Sequence, residues 1–445
     1  MTTLEGQWVR RCRAAATILL PAISLTAPER GVSQSGELRT RVVSSSDSSQ
    51  SYALYLPPNY TRDRRWPILF VLDPRGRAML GLELFQGAAA RHGWIVMSSY
   101  NTLSDAPHEP NLKAMEAMLR SAQDSLSINP SRLYLAGFSG TARAALSFAV
   151  SLRGHVAGVI ATGGALGFQL GGPETTFARD SAFGYFGAAG SSDFNYEEVL
   201  AMGDRFGTMG VPFRVVVFEG GHSWPPLDVC ADAIDWLELR AMRAGLRDTD
   251  SLWVRTRLRA EVERARQLER VGQWHQALQL NLAVARDYAP WPEARSALER
   301  ATELRRRPAI QQHQAKARRL AEADLKQAGE LQKSLEWARS QREMPSPDAF
   351  ARKLRIPNLQ KQLARGDSLE VASASRLLAR IFVWLSFYEP RTYLQNRSPE
   401  RALSSFETAV KIGRIQGKES CALLRAALQT AGSEQRSRFA GQCAS

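Results

Sequence analysis

The sequence is poor in cysteine and histidine. Its 445 residues include four cysteines and six histidines, and no Cys-x-x-Cys pair or Cys/His cluster occurs. Structural zinc sites and disulfide scaffolds need such groups at close spacing, so the sequence fits neither class, and it indicates no metal or organic cofactor. Cys421 and Cys443 could pair in an oxidising compartment or remain as free, partly buried thiols.

Long hydrophobic runs are also scarce. Three arginines precede an apolar stretch of signal-peptide length, Ala14–Leu25, which is the order of a secretory signal. Pro21 within the stretch and Pro28 after it make a poor cleavage site, so a disordered tail or a misassigned start is the alternative. The uncharged run Gly154–Pro173 is rich in glycine and predicts a buried strand with its loop, so we predict no transmembrane segment. We therefore expect a periplasmic or secreted protein, with a cytoplasmic one as the alternative.

Acidic residues are too few to balance the basic ones. The chain has 58 Lys and Arg against 44 Asp and Glu, a net charge of +14. Residues 1–245 contain 22 of each sign, so residues 246–445, with 36 basic and 22 acidic residues, carry the whole excess. The basic residues are spread over amphipathic helices with few aromatics between them, which argues against specific nucleic-acid binding. Such a surface can instead bind a protein or an anionic partner, such as phospholipid headgroups or an acidic polymer.

Residues 36–245 alternate between short β-rich runs and longer amphipathic stretches. Pro67–Leu72, for example, is a continuous apolar run that is typical of a strand buried on both faces. Strands that alternate with helices favour a mostly parallel sheet with helices on both faces, which is the α/β class. The predicted strands are Arg39–Ser44, Ser51–Leu56, Pro67–Leu72, Trp94–Ser98, Arg132–Ala136, Val156–Ala161, Phe183–Gly187 and Phe213–Phe218. The predicted helices are Glu83–Arg91, Asn111–Ser127, Thr141–Leu152, Tyr196–Thr208 and Leu227–Arg243.

Glycine thins out and strand signals stop after Gly245. Residues 246–445 are rich in Ala, Leu, Arg, Glu and Gln, and they predict an all-helical domain interrupted at prolines. Two segments, Val271–Leu278 and Ser398–Ala409, are similar to the second half of a tetratricopeptide repeat, where a small alanine lets paired helices approach closely. We predict a tetratricopeptide-like solenoid, with an unrelated helical bundle as the alternative. The expected domains are a leader (1–35), an α/β domain (36–245) and this helical domain (246–445).

The strongest signal for chemistry is a serine between glycines at a predicted strand-to-helix turn. An apolar strand leads directly into Gly137-Phe138-Ser139-Gly140 and then into an alanine-rich helix. In this context the pattern is that of a nucleophile elbow, in which a strained turn presents Ser139 and small neighbours let strand and helix pack closely. The amino terminus of the helix favours negative charge beside the serine. An ordinary strand-to-helix turn is the alternative.

A serine nucleophile needs a base and a carboxylate that orients the base. His222 follows the last predicted strand in a glycine loop, whereas the other five histidines lie before strands, in loops or in the helical domain without an obvious partner. Asp193 ends the small-residue loop after the preceding strand. Asp180 comes before that strand and Asp204 lies within a helix, so we prefer Asp193. The order serine, aspartate, histidine on loops after successive strands is the chain order of the α/β-hydrolases.

On these residues, the segment 36–245 resembles an α/β-hydrolase domain, nearest to bacterial serine esterases that include dienelactone-hydrolase-like and feruloyl-esterase-like members. The resemblance implies hydrolysis of carboxylic esters through an acyl-enzyme. Ser139 would attack the carbonyl, His222 would move the proton, and Asp193 would orient the imidazole. One position departs from the Gly-x-Ser-x-Gly pattern, because Thr141 stands where the last glycine is expected. Gly140 could supply the clearance one residue early.

The resemblance also implies an oxyanion hole with two donors. By analogy the amide after the nucleophile, that of Gly140, is one donor, and the loop after the third strand supplies the other. Pro74 in that loop has no N–H, so Arg75 or Gly76 must donate, and we favour Arg75, with an arginine-rich surface turn as the alternative. We expect Asp73 to fix this loop.

Trp224, two residues after the predicted base, is expected to wall the acyl pocket, with a place in the core as the alternative. No large insertion separates the strands, so Leu166–Arg179 is at most a small lid, which favours soluble or polymer-attached esters as substrates. Two other functions stay open. One is a catalytically vestigial hydrolase-like scaffold that only binds, and the other is a serine peptidase that uses the same three residues.

Overall fold

A computed structural model describes most of the chain and divides it into two compact units. The first unit runs to Leu304 without Ser192–Phe194, and the second comprises Ser192–Phe194 and Arg305–Ser445. The division therefore falls later in the chain than the 245/246 boundary expected from the sequence. The expected leader and nearly all of the expected lid lie outside the described residues. The described residues are 36–104, 108–152, 154–166, 183–289 and 291–443.

Eight strands in the described residues form one sheet. They are β1 (Glu37–Val43), β2 (Ser51–Leu56), β3 (Trp66–Leu72), β4 (Ile95–Ser99), β5 (Ile128–Phe138), β6 (Val156–Thr162), β7 (Gly184–Gly190) and β8 (Phe213–Phe218). The order across the sheet is β1-β2-β4-β3-β5-β6-β7-β8. β1 pairs with β2, and β2 with β4, in antiparallel fashion, whereas all pairs among β3 to β8 are parallel. With helices on both faces this is a mostly parallel α/β sheet, so the predicted α/β class is confirmed.

The central strands are buried on both faces, as their continuous apolar sequences predict. Along β3, Ile68 and Phe70 belong to one apolar cluster, whereas Leu69 and Val71 belong to the other, because successive side chains of a strand point to opposite faces. Side chains of α2, α3 and α4 complete the first cluster, and those of α1 and α5 complete the second. These helices are α1 (Ala78–His92), α2 (His108–Ser125), α3 (Gly140–Ser151), α4 (Tyr196–Thr208) and α5 (Leu227–Arg243).

The parallel strands bring their carboxyl ends to one edge of the sheet. Leu72 at the end of β3 pairs with Gly137 of β5, and Gly190 at the end of β7 pairs with Phe218 at the end of β8. The loops that follow these strands carry the residues that the sequence predicts for the site. In open α/β sheets, ligands bind at this edge, so the fold places the predicted residues where a site is expected.

Three helices that were expected in the helical domain belong to the first unit. They are α6 (Ser251–Arg270), α7 (Trp274–Asp287) and α8 (Pro292–Arg305). Leu239 and Met242 of α5 pack in one apolar cluster with Val254 and Leu258 of α6. Burial of these side chains attaches the helices to α5, whose other apolar side chains pack against the sheet.

The second unit is helical and has its own apolar core. Its helices are α9 (Pro308–Ser340), α10 (Pro347–Lys353), α11 (Ile356–Arg365), α12 (Ser368–Val383), α13 (Glu389–Gln395), α14 (Pro399–Val410), α15 (Lys418–Leu428) and α16 (Ser433–Arg438). A single π-helical turn, Trp384–Tyr388, joins α12 to α13 just before Pro390, whose ring cannot donate the regular helical hydrogen bond. Within this unit the guanidinium of Arg380 donates to the carbonyl oxygen of Phe194.

The tetratricopeptide-like prediction is not confirmed. A repeat of that type pairs two helices within about 34 residues. Here α9 alone has 33 residues, whereas α16 has six. Of the two segments that matched the repeat, Val271–Leu278 lies in the first unit and Ser398–Ala409 lies in the second.

Two further features of the second unit bear on the sequence analysis. Cys421 and Cys443 form a disulfide, which is the first of the two states that the sequence left open. Among the described residues, one helix, Ser368–Gln395, is long and apolar enough to cross a membrane by length and composition. No such segment was expected from the sequence. Leu377, Leu378 and other side chains of this helix pack in the core of the unit, as those of a soluble core helix also would.

Candidate active site

Ser139 lies on a strained turn between β5 and α3. Its backbone angles are φ 56° and ψ −127°, a region that non-glycine residues rarely occupy and that is found mainly at functional sites. A Cβ atom on Gly137 would lie 2.3 Å from the carbonyl oxygen of Thr141, and one on Gly164 would lie 2.5 Å from that of Ser139. The two glycines therefore permit the close backbone approach that a nucleophile elbow needs.

Thr141, the departure from the expected glycine, is built into this turn. Its buried hydroxyl lies 2.5 Å from the carbonyl oxygen of Leu72 and 2.8 Å from that of Phe138, and it accepts the Phe138 N–H at 3.2 Å. The hydroxyl thus connects the end of β5 to the end of β3. A glycine here would make none of these bonds, so the threonine stabilises the elbow.

The structure brings His222 to Ser139 across 83 positions of sequence. The imidazole Nε2 lies 2.9 Å from Ser139 Oγ, within hydrogen-bonding distance, and both side chains are half-buried. The Phe138 ring packs 4.6 Å from the imidazole, centroid to centroid. A base at this distance can accept the hydroxyl proton directly, which is the first requirement of a serine nucleophile.

Asp193 is completely buried, three residues after the end of β7. The loop after β7 meets the loop after β8, because Ser191 N–H donates to the Phe218 carbonyl at 2.8 Å and the Ser191 hydroxyl accepts from Gly220 N–H at 3.4 Å. Of the two carboxylates that the sequence analysis set aside, Asp204 is exposed on α4 and Asp180 lies outside the described residues. The role of Asp193 as the partner of His222 stays a prediction.

The loop after β3 is fixed by Asp73, as expected. Arg75 N–H donates to Asp73 Oδ1 at 2.9 Å, and Gly76 N–H donates to the Asp73 carbonyl at 3.1 Å. The amide predicted as the second oxyanion donor is therefore engaged by a carboxylate, and a substrate oxygen would have to share it or displace the carboxylate. The role of the Arg75 N–H as an oxyanion donor stays a prediction, and it requires that this N–H be shared with the substrate or released by Asp73.

Gly140, the other predicted donor, is the first residue of α3. The first N–H groups of a helix have no partner within the helix, and the helix dipole adds positive potential there. A Cβ on Gly140 would lie 2.2 Å from Ser104 Oγ, so the Ser104 hydroxyl lies directly beside this residue. Ser104 N–H is held by the Pro74 carbonyl at 2.8 Å. Ser104 could not be recognised from the sequence because it follows β4 in a loop without any motif.

Trp224 lies largely in the interior, with 9% of the residue exposed, and its role as a wall of the acyl pocket stays a prediction. Its indole Nε1 donates to Asp73 Oδ2 at 2.9 Å, and its ring packs against Phe138 and, edge to face, against Phe85. The residue therefore connects the His222 loop to the loop after β3.

A further ion pair borders the elbow on the α3 side. The Arg143 guanidinium contacts both carboxylate oxygens of Glu198, at 2.9 and 2.6 Å, and Glu198 also accepts the Ala165 N–H at 2.8 Å. This pair links α3 to α4 beside Ser139. Among the residues that the structure describes, no group of three or more His, Cys, Asp or Glu side chains is placed to hold a metal ion.

Comparison with known proteins gives distant structural similarities. Neither a protein-family model nor a curated protein matches this chain. The fluorophosphonate-binding serine hydrolase FphF of Staphylococcus aureus is 13% identical, with a TM-score of 0.36 over 45% of this chain and 98% of its own. The S-formylglutathione hydrolase FrmB of the same species is 14% identical (TM-score 0.35; 42% and 92%), and Est1E of Butyrivibrio proteoclasticus is 13% identical (0.36; 46% and 100%). Similarities at this level assign no activity to the chain.

Proposed function

We propose that the protein is a serine hydrolase that cleaves carboxylic esters through an acyl-enzyme. The observation that carries the proposal is the 2.9 Å contact between His222 Nε2 and Ser139 Oγ, with Ser139 on a strained turn at the amino terminus of α3. The serine has a strained backbone, lies at the carboxyl edge of a parallel sheet and has a base at hydrogen-bonding distance. Together these features favour a nucleophilic serine over a purely structural one.

In the proposed reaction, Ser139 Oγ forms a bond to the ester carbonyl carbon while its proton passes to His222 Nε2. The negative charge on the carbonyl oxygen is stabilised by Gly140 N–H and by the amino terminus of α3. The tetrahedral intermediate then loses the alkoxide, which takes the proton from His222 and leaves as an alcohol. A water molecule, deprotonated by His222, attacks the acyl-enzyme and releases the carboxylic acid and free Ser139.

Asp193 is proposed as the group that accepts a hydrogen bond from His222 Nδ1–H. That bond selects the tautomer with a free Nε2 and stabilises the imidazolium that forms. The complete burial of Asp193 and its position in the chain, three residues after the end of β7, support this role.

The test is labelling with a fluorophosphonate probe, followed by a screen of esters, thioesters and peptides. We expect the full chain to be labelled and to turn over esters, and Ser139→Ala to lose both. Ser131→Ala, at an exposed serine of β5, is the matched control and should behave like the unaltered protein. An unlabelled wild-type protein would contradict the enzyme and favour the vestigial scaffold. Labelling that survives Ser139→Ala would show that the wrong serine was chosen, and turnover of peptides alone would favour the peptidase.

The helical unit is proposed to bind an anionic partner or surface. Residues 305–445 contain 26 basic and 13 acidic residues, which leaves 32 and 31 for residues 1–304. Residues 305–445 therefore carry +13 of the total net charge of +14. We expect the protein to co-sediment with vesicles that contain phosphatidylglycerol, and salt to release it because screening shortens the range of the attraction. Equal binding to neutral phosphatidylcholine vesicles would contradict a charge-based partner.

An oxidising compartment is proposed for the protein, in line with the expected secretory leader. The Cys421–Cys443 disulfide supports this proposal, because such bonds persist mainly outside reducing compartments. Alkylation of the native protein, isolated without reductant, should modify neither cysteine. Two reactive thiols at these positions would argue for a cytoplasmic protein.

A further inference from the structure

The carboxylate of Asp73 is fully buried and receives five hydrogen bonds. Oδ1 accepts the N–H groups of Arg75 at 2.9 Å and Arg77 at 3.1 Å, together with Arg77 Nε at 3.0 Å. Oδ2 accepts Arg77 Nη2 and Trp224 Nε1, each at 2.9 Å. Burial by itself would raise the pKa of Asp73, but the hydrogen bonds from Arg77 and Trp224 hold it below the ordinary value, so the carboxylate is ionised at neutral pH.

These donors come from two loops that carry different parts of the proposed site. Arg75 and Arg77 belong to the loop after β3, whereas Trp224 comes two residues after His222 and lies 151 positions from Asp73 in sequence. Hydrogen bonds to an ionised acceptor are roughly twice as strong as those between neutral groups. The Trp224–Asp73 bond is therefore a strong connection between the His222 loop and the loop after β3.

Packing joins the same indole to the nucleophile. Phe138, the residue before Ser139, has its ring 4.6 Å from the imidazole of His222 and 5.7 Å from the ring of Trp224. Phe85 closes the other side of the indole, 6.0 Å away and edge to face. The indole, the imidazole and the residue before the nucleophile thus form one packed cluster, and a shift of Trp224 would move the imidazole.

We propose that the Trp224–Asp73 hydrogen bond is the positioning contact that holds His222 in place relative to Ser139 and the loop after β3. The inference rests on the proposed hydrolase function. Trp224 is too deeply buried to offer a surface to the reacting atoms, so it acts through His222. Without its N–H donor, the His222 loop loses its hydrogen bond to the loop after β3, and the imidazole loses its fixed 2.9 Å distance from Ser139 Oγ.

The experiment compares Trp224→Phe with Trp236→Phe in the full chain. Both changes replace a buried indole by a phenyl ring, but Trp236 Nε1 has no hydrogen-bond partner among the described residues, so the second change removes no such bond. We expect Trp224→Phe to lower kcat for a soluble ester by on the order of 10–100-fold, with KM changed by no more than about twofold. The rate of fluorophosphonate labelling should fall in parallel, since it also depends on His222. Trp236→Phe should keep the wild-type values of all three.

Asp73→Asn is a second variant that by itself should lower kcat, so a wild-type kcat for Asp73→Asn would overturn the positioning role even if Trp224→Phe folds poorly. Asp73→Asn preserves the side-chain size and removes the charge, and rates are measured per active site titrated with the probe. If the two residues act through one bond, Trp224→Phe should add little to the loss caused by Asp73→Asn. Fully additive losses, or a Trp224→Phe that matches Trp236→Phe, would overturn the positioning role while leaving the hydrolase intact. A wild-type protein that turns over no ester would overturn the proposed function itself, and the positioning role with it.

Discussion

Arg214 of β8 and Glu261 of α6 form a buried ion pair with two contacts, at 2.5 and 3.2 Å. Asp287 of α7 lies 3.4 Å from the same guanidinium, and the Tyr288 hydroxyl donates to Glu261 at 2.9 Å. Ionised groups are costly to bury unless they are paired. Helices α6 and α7 therefore complete the edge of the sheet at β8, and they belong to the unit that carries the proposed site.

Removal of the cation should destabilise the first unit strongly. Arg214→Met leaves Glu261 and Asp287 buried opposite an apolar side chain, and we expect the free energy of unfolding to fall by about 3–5 kcal/mol. Urea denaturation followed by circular dichroism measures the change. Arg264→Met is the matched control, because its pair with Asp232 is 3.5 Å long and Arg264 is 61% exposed, so its loss should cost below about 1 kcal/mol. Equal losses for the two variants would show that the buried pair is not needed.

The same pair predicts a dependence of stability on acid. Burial raises the pKa of Glu261, but the charges of Arg214 and Arg257 lower it by a larger amount, so the pKa in the folded protein is below the ordinary value. The Glu261 carboxylate therefore binds a proton more readily in the unfolded chain than in the folded protein. The stabilisation is present above the unfolded pKa of about 4.3 and is lost as the pH falls through the folded value.

We therefore expect the free energy of unfolding to fall below about pH 4, and to fall less in Glu261→Gln, which has no proton to bind at this position. Urea titrations of both proteins at neutral and acidic pH measure the difference. If the free energies of unfolding of the two proteins depend on pH in the same way, the pKa of Glu261 does not differ between the folded and unfolded states.

Asp193→Asn should impair catalysis while the protein stays folded. An asparagine amide at this position would favour the wrong imidazole tautomer and leave the imidazolium without its anion, so we expect kcat to fall by on the order of 10³–10⁴-fold. Initial rates with a soluble ester measure the effect. Asp204→Asn, at the exposed carboxylate of α4, should leave the rate unchanged. If the rates of both variants equal that of the wild type, Asp193 is not the third member of the site.

Thr141→Val should loosen the nucleophile elbow. Valine has nearly the shape of threonine but cannot bond the Leu72 and Phe138 carbonyls or the Phe138 N–H. We expect a loss of about 1–3 kcal/mol in the free energy of unfolding, together with a lower kcat. Thr141→Ser keeps the hydroxyl and should retain most of both. A valine variant as stable as the serine variant would show that the hydroxyl contributes little to the elbow.

Local patterns in the sequence were sufficient to predict the sheet and the nucleophile. The eight predicted strands correspond to the eight observed strands, with Ser51–Leu56 and Phe213–Phe218 matching to the residue. The central strands are readable because a strand buried on both faces must be apolar throughout. Ser139 was recognisable because a strained turn requires small neighbours, and His222 because a glycine loop follows the last strand.

The sequence did not reveal which helices pack on the sheet. α6 and α7 have the same amphipathic pattern as helices of the second unit, and periodicity shows that a helix has a buried face but not what covers that face. The boundary at Leu304 follows instead from pairs such as Arg214 and Glu261, which are 47 positions apart. The tetratricopeptide-like prediction also rested on local patterns, which do not show which helices pack against each other.

By itself, the sequence determined the α/β fold, the serine on its turn and the histidine that follows the last strand, because each depends on residues that are close together in the chain. Only the tertiary structure decided that His222 reaches Ser139, that Cys421 reaches Cys443, and that Asp73 engages both the Arg75 amide and the Trp224 indole. Most of these contacts join segments that are distant in sequence, and one joins the Arg75 amide to the Asp73 carboxylate within the same loop. They depend on differences of a few tenths of an ångström in contact distances, which composition and spacing do not encode.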